Sequence, residues 1–202
     1  MKIVDQQLER REFIARIGLS GAALSFTPAL AFAPSLAAEE KKADPYGGFK
    51  MGIQSYSLRE FEFQKMIDIL CGDLGLKHVE LYPGHFPMEG EESEFRMRMR
   101  HMRQSGAQPS AYGVVPFKKD HDANRKVFEF AKRLGLLSIS ADPDPDSFES
   151  LDKLVEEFKI PVAIHNHGPE DKMYPSPLDA LARIKQWQDQ LATEGQVQST
   201  KY

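Results

Sequence analysis

Pro161-Val162-Ala163-Ile164-His165-Asn166-His167-Gly168-Pro169-Glu170-Asp171 is a short apolar run that breaks abruptly into polar side chains able to bind a metal. The run predicts a buried β-strand that delivers a site at its C-terminal end. Side chains alternate along a strand, which places Ala163, His165 and His167 on one face and Val162, Ile164 and Asn166 on the other. Residues two apart on a strand are separated by roughly 6.5–7 Å, a gap that two imidazoles can close around one divalent cation or one sugar. The same spacing suits a hydrogen-bonded structural pair of histidines. Spacing alone leaves both readings open.

Outward from this stretch the pattern repeats. Residues 50–56 alternate as a first strand and end in Gln54, Tyr56 and Arg59. Phe63, Ile67, Leu70, Cys71 and Leu74 then recur at helical spacing, with Gly75 placed to end the helix. Residues 78–82 form a second strand, released by Pro83-Gly84, and Ser93 is placed to cap a second helix. That helix carries Arg96, Arg100 and Arg103 on one face, read as a solvated face with methionines packed inward. Residues 108–115 read as a third strand whose Gly113 permits close backbone approach. Val127, Phe128, Ala131 and Leu134 mark a third helix, closed by Gly135. A fourth strand over 136–141 breaks into Asp142-Pro143-Asp144-Pro145-Asp146, where Asp146 with Glu149 is placed to form a capping box. After the fifth strand, Ser176-Pro177 opens a fifth helix that runs towards Trp187, and residues 189–202 read as a polar tail.

Five strand-helix units at even spacing predict an α/β fold with a parallel sheet. An open doubly wound sheet and a (β/α) barrel both fit. The first strand lacks a glycine-rich phosphate loop, and every strand ends in polar groups, which favours a barrel whose strand ends meet on one rim. That geometry gathers Gln54, Tyr56, Glu80, Tyr82, His85, Tyr112, Asp142, His165 and His167 at the C-terminal end of the sheet.

The N-terminus reads as an address. Arg10-Arg11, followed by Glu12-Phe13-Ile14 and a small-residue apolar run over 17–32, fits a twin-arginine export signal ending near residue 37. Residues 38–46 then form a linker and 47–188 the folded domain. This predicts a periplasmic or otherwise extracytoplasmic protein with no stable membrane span after cleavage. The single cysteine, Cys71, excludes an internal disulfide framework. A formal net charge of −4 gives no reason to expect a nucleic-acid partner.

Gly52-Ile53-Gln54-Ser55-Tyr56-Ser57-Leu58-Arg59, Val79-Glu80-Leu81-Tyr82 and Ala163-Ile164-His165-Asn166-His167-Gly168-Pro169-Glu170-Asp171 together resemble the xylose-isomerase-like barrel superfamily, the sugar phosphate isomerase/epimerase group. The resemblance implies a TIM barrel that uses a divalent metal (Mn, Mg, Co or Zn) and isomerises, epimerises or dehydrates a small sugar or cyclitol. It places His165 at a metal-binding position and His167 as a second contact. Glu80, Tyr82 and His85 match substrate-side positions on the second strand, and Gln54 and Tyr56 match the wall from the first. Glu80 and His167 are then the catalytic candidates, and Tyr112 and Asp142 join the substrate-binding group. The family's remaining metal ligands lie on later strands with no counterpart here. The expectation is therefore a partial barrel of about five of eight units, truncated or frameshifted, that binds metal weakly alone. A non-catalytic carbohydrate-binding relic and a cyclitol dehydratase-like lyase are the alternatives, and a homo-oligomer is compatible with either.

Overall fold

The computed structural model describes residues 46–193. These residues belong to one compact unit, Ala43–Tyr202. The expected leader (1–37), the linker up to residue 45 and the tail from residue 194 lie outside the described residues. Among the described residues no helix is long and apolar enough to cross a membrane.

Strands and helices alternate along the chain. β1 (Gly52–Gln54) runs into a 3-10 turn over Ser55–Leu58, and α1 (Phe63–Asp68) continues into a π-helical turn over Ile69–Asp73. β2 (His78–Leu81), α2 (Glu92–Ser105), β3 (Gln108–Val115), α3 (His121–Leu134) and β4 (Ser138–Ala141) follow. A 3-10 turn over Pro145–Ser147 leads into α4 (Phe148–Phe158), then β5 (Val162–Ile164) and α5 (Pro177–Thr193).

The five strands are parallel and pair in the order β1-β2-β3-β4-β5. A doubly wound sheet would reverse direction at an interior strand; this one does not, and the architecture is that of a partial (β/α) barrel.

Parallel register decides which residues meet. Leu81 lies beside Tyr112, Tyr112 beside Ile139, and Ile139 beside Val162. In-register neighbours share a face, so this row joins Val79 and Ala141 in the layer between sheet and helices. There it meets Met66, Ile67 and Leu70, then Met102, Phe128, Ala131, Leu134 and Leu154, all buried. An aromatic chain runs through this layer from Phe63 to Phe86, Phe95, Phe130 and Tyr112, with ring centroids 5.1–6.3 Å apart and steeply inclined planes. Burying one such ring stabilises the fold by about 1.5–3 kcal/mol. The opposite face carries Gln54, Glu80, Ala111, Ser140 and Ala163, with large polar side chains on β1 and β2 and small ones on β3 to β5.

Local signals shape the helix ends, though not always as the sequence reading placed them. Asp120 caps α3, its Oδ1 accepting from the Asp122 and Ala123 amides at 3.1 Å each. Ser93 does not cap α2. Glu91 occupies that position without a side-chain hydrogen bond, and Glu92 and Glu94 in the first turn complement the helix dipole. The Asp146–Glu149 capping box does not form, because Pro145 starts a 3-10 turn that delays the helix; Ser147 Oγ donates to Asp144 O at 2.7 Å instead. Glu149 pairs with Lys153 at 2.6 Å. Arg96, Arg100 and Arg103 are exposed as expected, but of the methionines beside them only Met102 is fully buried. β5 is not buried. Among the described residues β4 is its one strand neighbour, so it forms a sheet edge there, leaving Ala163 exposed and Val162 and Ile164 half-buried. The fifth helix also runs past Gln188 to Thr193, taking in the first residues of the expected tail.

β3 and β4 approach closely at Gly113. A Cβ there would stand 2.3 Å from Ser140 O and 2.7 Å from Ser140 Cβ. No side-chain rotation relieves a clash with backbone, so Gly113→Ala is expected to destabilise the protein by about 1–3 kcal/mol. Urea denaturation measures it, and an unchanged midpoint would contradict the close approach.

Candidate functional site

Two groups of polar residues stand at the C-terminal ends of the strands. The first is built by β1 and β2. Gln54 and Glu80 are register partners, and Gln54 Nε2 donates to Glu80 Oε1 at 2.8 Å. The neighbouring segment is fixed from below: buried Ser55 accepts the Tyr82 amide at its Oγ, 2.8 Å away. This brings Tyr56 onto Tyr82 edge to face, with centroids 4.9 Å apart, and Arg59 over the Tyr56 ring at 4.6 Å. Gly84 has no side chain for a physical reason: a Cβ would meet the Tyr82 ring at 2.4 Å. Glu80 and Tyr82 are half-buried and Tyr56 exposed, leaving a carboxylate beside an aromatic wall.

β4 and β5 supply the second group. Asp142 follows β4, its amide donating to Val115 O at 3.0 Å, and the His165 amide donates to Ala141 O at 2.7 Å just beyond β5. His165 and His167 approach as the alternation predicted, with ring centroids 4.7 Å apart. The partner of His167 is Asp171, whose Oδ2 accepts from Nδ1 at 3.0 Å. Asp171 Oδ1 accepts from the Met173 and Tyr174 amides at 2.7 and 3.1 Å. Those amides, Tyr174 first, and then His167 hold the Asp171 carboxyl down at about 2, against an ordinary 3.8. Tyr174 is fully buried and donates its OH to Pro143 O at 2.6 Å, tying the loop after β5 to the loop after β4. Burial, with Asp142, Asp144 and Asp171 nearby, pushes its phenol up to about 12.

Seven of the nine expected residues stand on this rim, in two groups. The other two face elsewhere. Tyr112 is buried against Phe130 at 5.1 Å, because its register partners Leu81 and Ile139 face the helices; burial raises its phenol to about 12. It lines the core, not a substrate site. His85 is also buried: its Nε2 donates to Phe61 O at 2.9 Å and its ring packs on Tyr82 at 5.9 Å. It supports the aromatic wall from beneath. Asp171 and Tyr174 went unassigned in the sequence reading. Asp171 has a readable signal, an Asp followed two and three residues later by amides free to turn back onto it; Tyr174 sits in a loop with no periodicity to reveal it.

The divalent cation that the resemblance implies can be tested against these donors. Asp142, His167 and Asp171 each offer one ligand atom, all within 4.8 Å of one another. Donors bound at about 2.1 Å around one tetrahedral cation stand about 3.4 Å apart, so the widest pair closes by no more than about 1.4 Å. Two carboxylates and an imidazole have the right chemistry. The residues fit a cation, and His165 is not among the three.

No known family matches the sequence, and no curated protein matches it. Several solved structures match the fold, among them the following two. One is an uncharacterized protein from Parabacteroides distasonis ATCC 8503, with TM-score 0.51 and 19% identity over 59% of this chain and 54% of that one. The other is D-psicose 3-epimerase solved in the presence of D-fructose, with TM-score 0.51 and 12% identity over 67% of this chain and 59% of that one. The chain thus spans just over half the length of each.

Asp171 makes stability depend on pH. Its folded value is depressed, so its contribution is complete above about 4 and is lost as pH falls towards about 2. Urea denaturation at stepped pH is expected to show a decline across that window, and Asp171→Asn should flatten it. A decline of equal size in the variant would contradict the assignment.

Proposed function

We propose that this chain acts on a small sugar or cyclitol by moving a proton on the carbon next to a carbonyl, as an isomerase or epimerase. The reading starts from the likeness in fold to D-psicose 3-epimerase, and one observation carries it: Glu80, half-buried on the sheet's rim face, is fixed by Gln54 at 2.8 Å. A carboxylate held by a donor at one oxygen keeps the other free to take a proton from carbon and return it. Gln54 sets its direction.

The edge-to-face pair of Tyr56 and Tyr82 offers apolar surface to the C–H face of a sugar, while polar groups around it meet the hydroxyls. The Nδ1 contact with Asp171 Oδ2 at 3.0 Å orients the His167 ring. A cation held by Asp142, His167 and Asp171 would supply polarisation of the substrate carbonyl.

Purified protein supplied with manganese and offered ketohexoses and aldoses is expected to interconvert at least one pair. Glu80→Gln keeps the size and the acceptor for Gln54 but loses the base, and should lower turnover about 100-fold or more. Undiminished turnover in Glu80→Gln, or no turnover of any sugar by the parent protein, would refute the reading.

A further inference from the structure

We propose that the chain carries its own divalent-cation site on the loops after β4 and β5, with Asp142, His167 and Asp171 as ligands, His165 outside the coordination shell and Tyr174 as the positioning residue. The site takes a borderline first-row cation, zinc ahead of manganese, magnesium or calcium.

The geometry of the His167–Asp171 pair is the first reason. Its 3.0 Å separation is that of a hydrogen bond, and it lies within about half an ångström of the roughly 3.4 Å between two tetrahedral ligands held at about 2.1 Å on one cation. A cation can therefore replace the proton between them with little movement. The third donor, Asp142, comes from a different strand end and lies within 4.8 Å of both. Two carboxylates brought this close repel, and a cation between them removes the repulsion. Lys118, a basic side chain near Asp142, is engaged by Asp144 at 2.9 Å.

The second reason is that the ligands are held before any ion arrives. Asp171 Oδ1 takes two backbone amides, so its other oxygen has a fixed direction. Asp142 and Asp171 sit on separate loops, and the buried Tyr174 hydroxyl spans them by donating to the carbonyl of Pro143, the residue after Asp142. Arg183 Nε fastens the same loop through Met173 O at 2.9 Å. His165 stands against the His167 ring, outside the three-donor group.

Donor chemistry sets the preference. One imidazole nitrogen with two carboxylate oxygens is a mixed set that favours zinc or manganese over magnesium or calcium, and the order of first-row affinities puts zinc above manganese. The inference extends the functional reading without depending on it, because metal binding is measured in the absence of sugar.

The test uses the full chain, stripped of metal, titrated separately with zinc and magnesium by calorimetry and checked by metal analysis after dialysis. One zinc per chain is expected, with magnesium about 100-fold weaker or more. Asp142→Asn and His167→Ala should each weaken zinc about 10-fold or more, and His165→Ala should change it less than about 3-fold. Tyr174→Phe should weaken zinc several-fold while the metal-free protein keeps its circular dichroism spectrum. Should His167→Ala fail to fold, Asp142→Asn and Asp171→Asn still decide the matter. The proposal is overturned if no stoichiometric zinc binds, or if His165→Ala abolishes binding while Asp142→Asn spares it. Unaltered affinity in Tyr174→Phe removes that residue from the account.

Discussion

Parallel pairing in register is the constraint on which the rest depends. Once Gly52, Ile53 and Gln54 align with His78, Val79 and Glu80, alternation sends Ile53 and Val79 towards the helices and Gln54 and Glu80 towards the other face. The same rule carried across the sheet builds an apolar layer on one side and a polar, small-residue face on the other. It also aligns every C-terminal strand end, so residues scattered from Gln54 to Asp171 reach one rim. A slip of one residue would bury Glu80 among Met66, Ile67 and Leu70, at a cost of several kcal/mol for an unpaired carboxylate.

The rim is held by buried side chains beneath it. Ser55 fixes Tyr82, His85 lies beneath Tyr82, and Tyr174 joins two loops. Each loses solvent to make its hydrogen bond, so each fixes its neighbour more firmly than an exposed contact would. The ion pairs on the outer helices contribute less. Arg96 with Glu92 and Lys153 with Glu149 are exposed, and such pairs are worth about 0–1 kcal/mol each.

What the sequence made legible follows from which forces are local. Strand order, helix positions and the close approach at Gly113 come from periodicity and glycine placement, and all three stand in the structure. The pairing of His165 with His167 was legible too, since it needs only the period of a strand. Helix starts were less so: Asp146 and Glu149 look like a capping box, but Pro145 begins a 3-10 turn there. Tyr112 was misplaced because a tyrosine near a strand end reads as polar, whereas its register partners set its face. Asp171 and Tyr174 were missed because their roles arise from contacts between loops, which no single stretch records.

The most direct test of proton transfer at this rim follows a ketose by proton NMR in deuterium oxide with the metal-supplied protein. A base that removes a proton next to a carbonyl exchanges it with solvent whenever it returns a different one. The account predicts loss of the signal from that carbon, at a rate cut about 100-fold or more in Glu80→Gln. A sugar that binds the protein yet keeps that proton through prolonged incubation would contradict it.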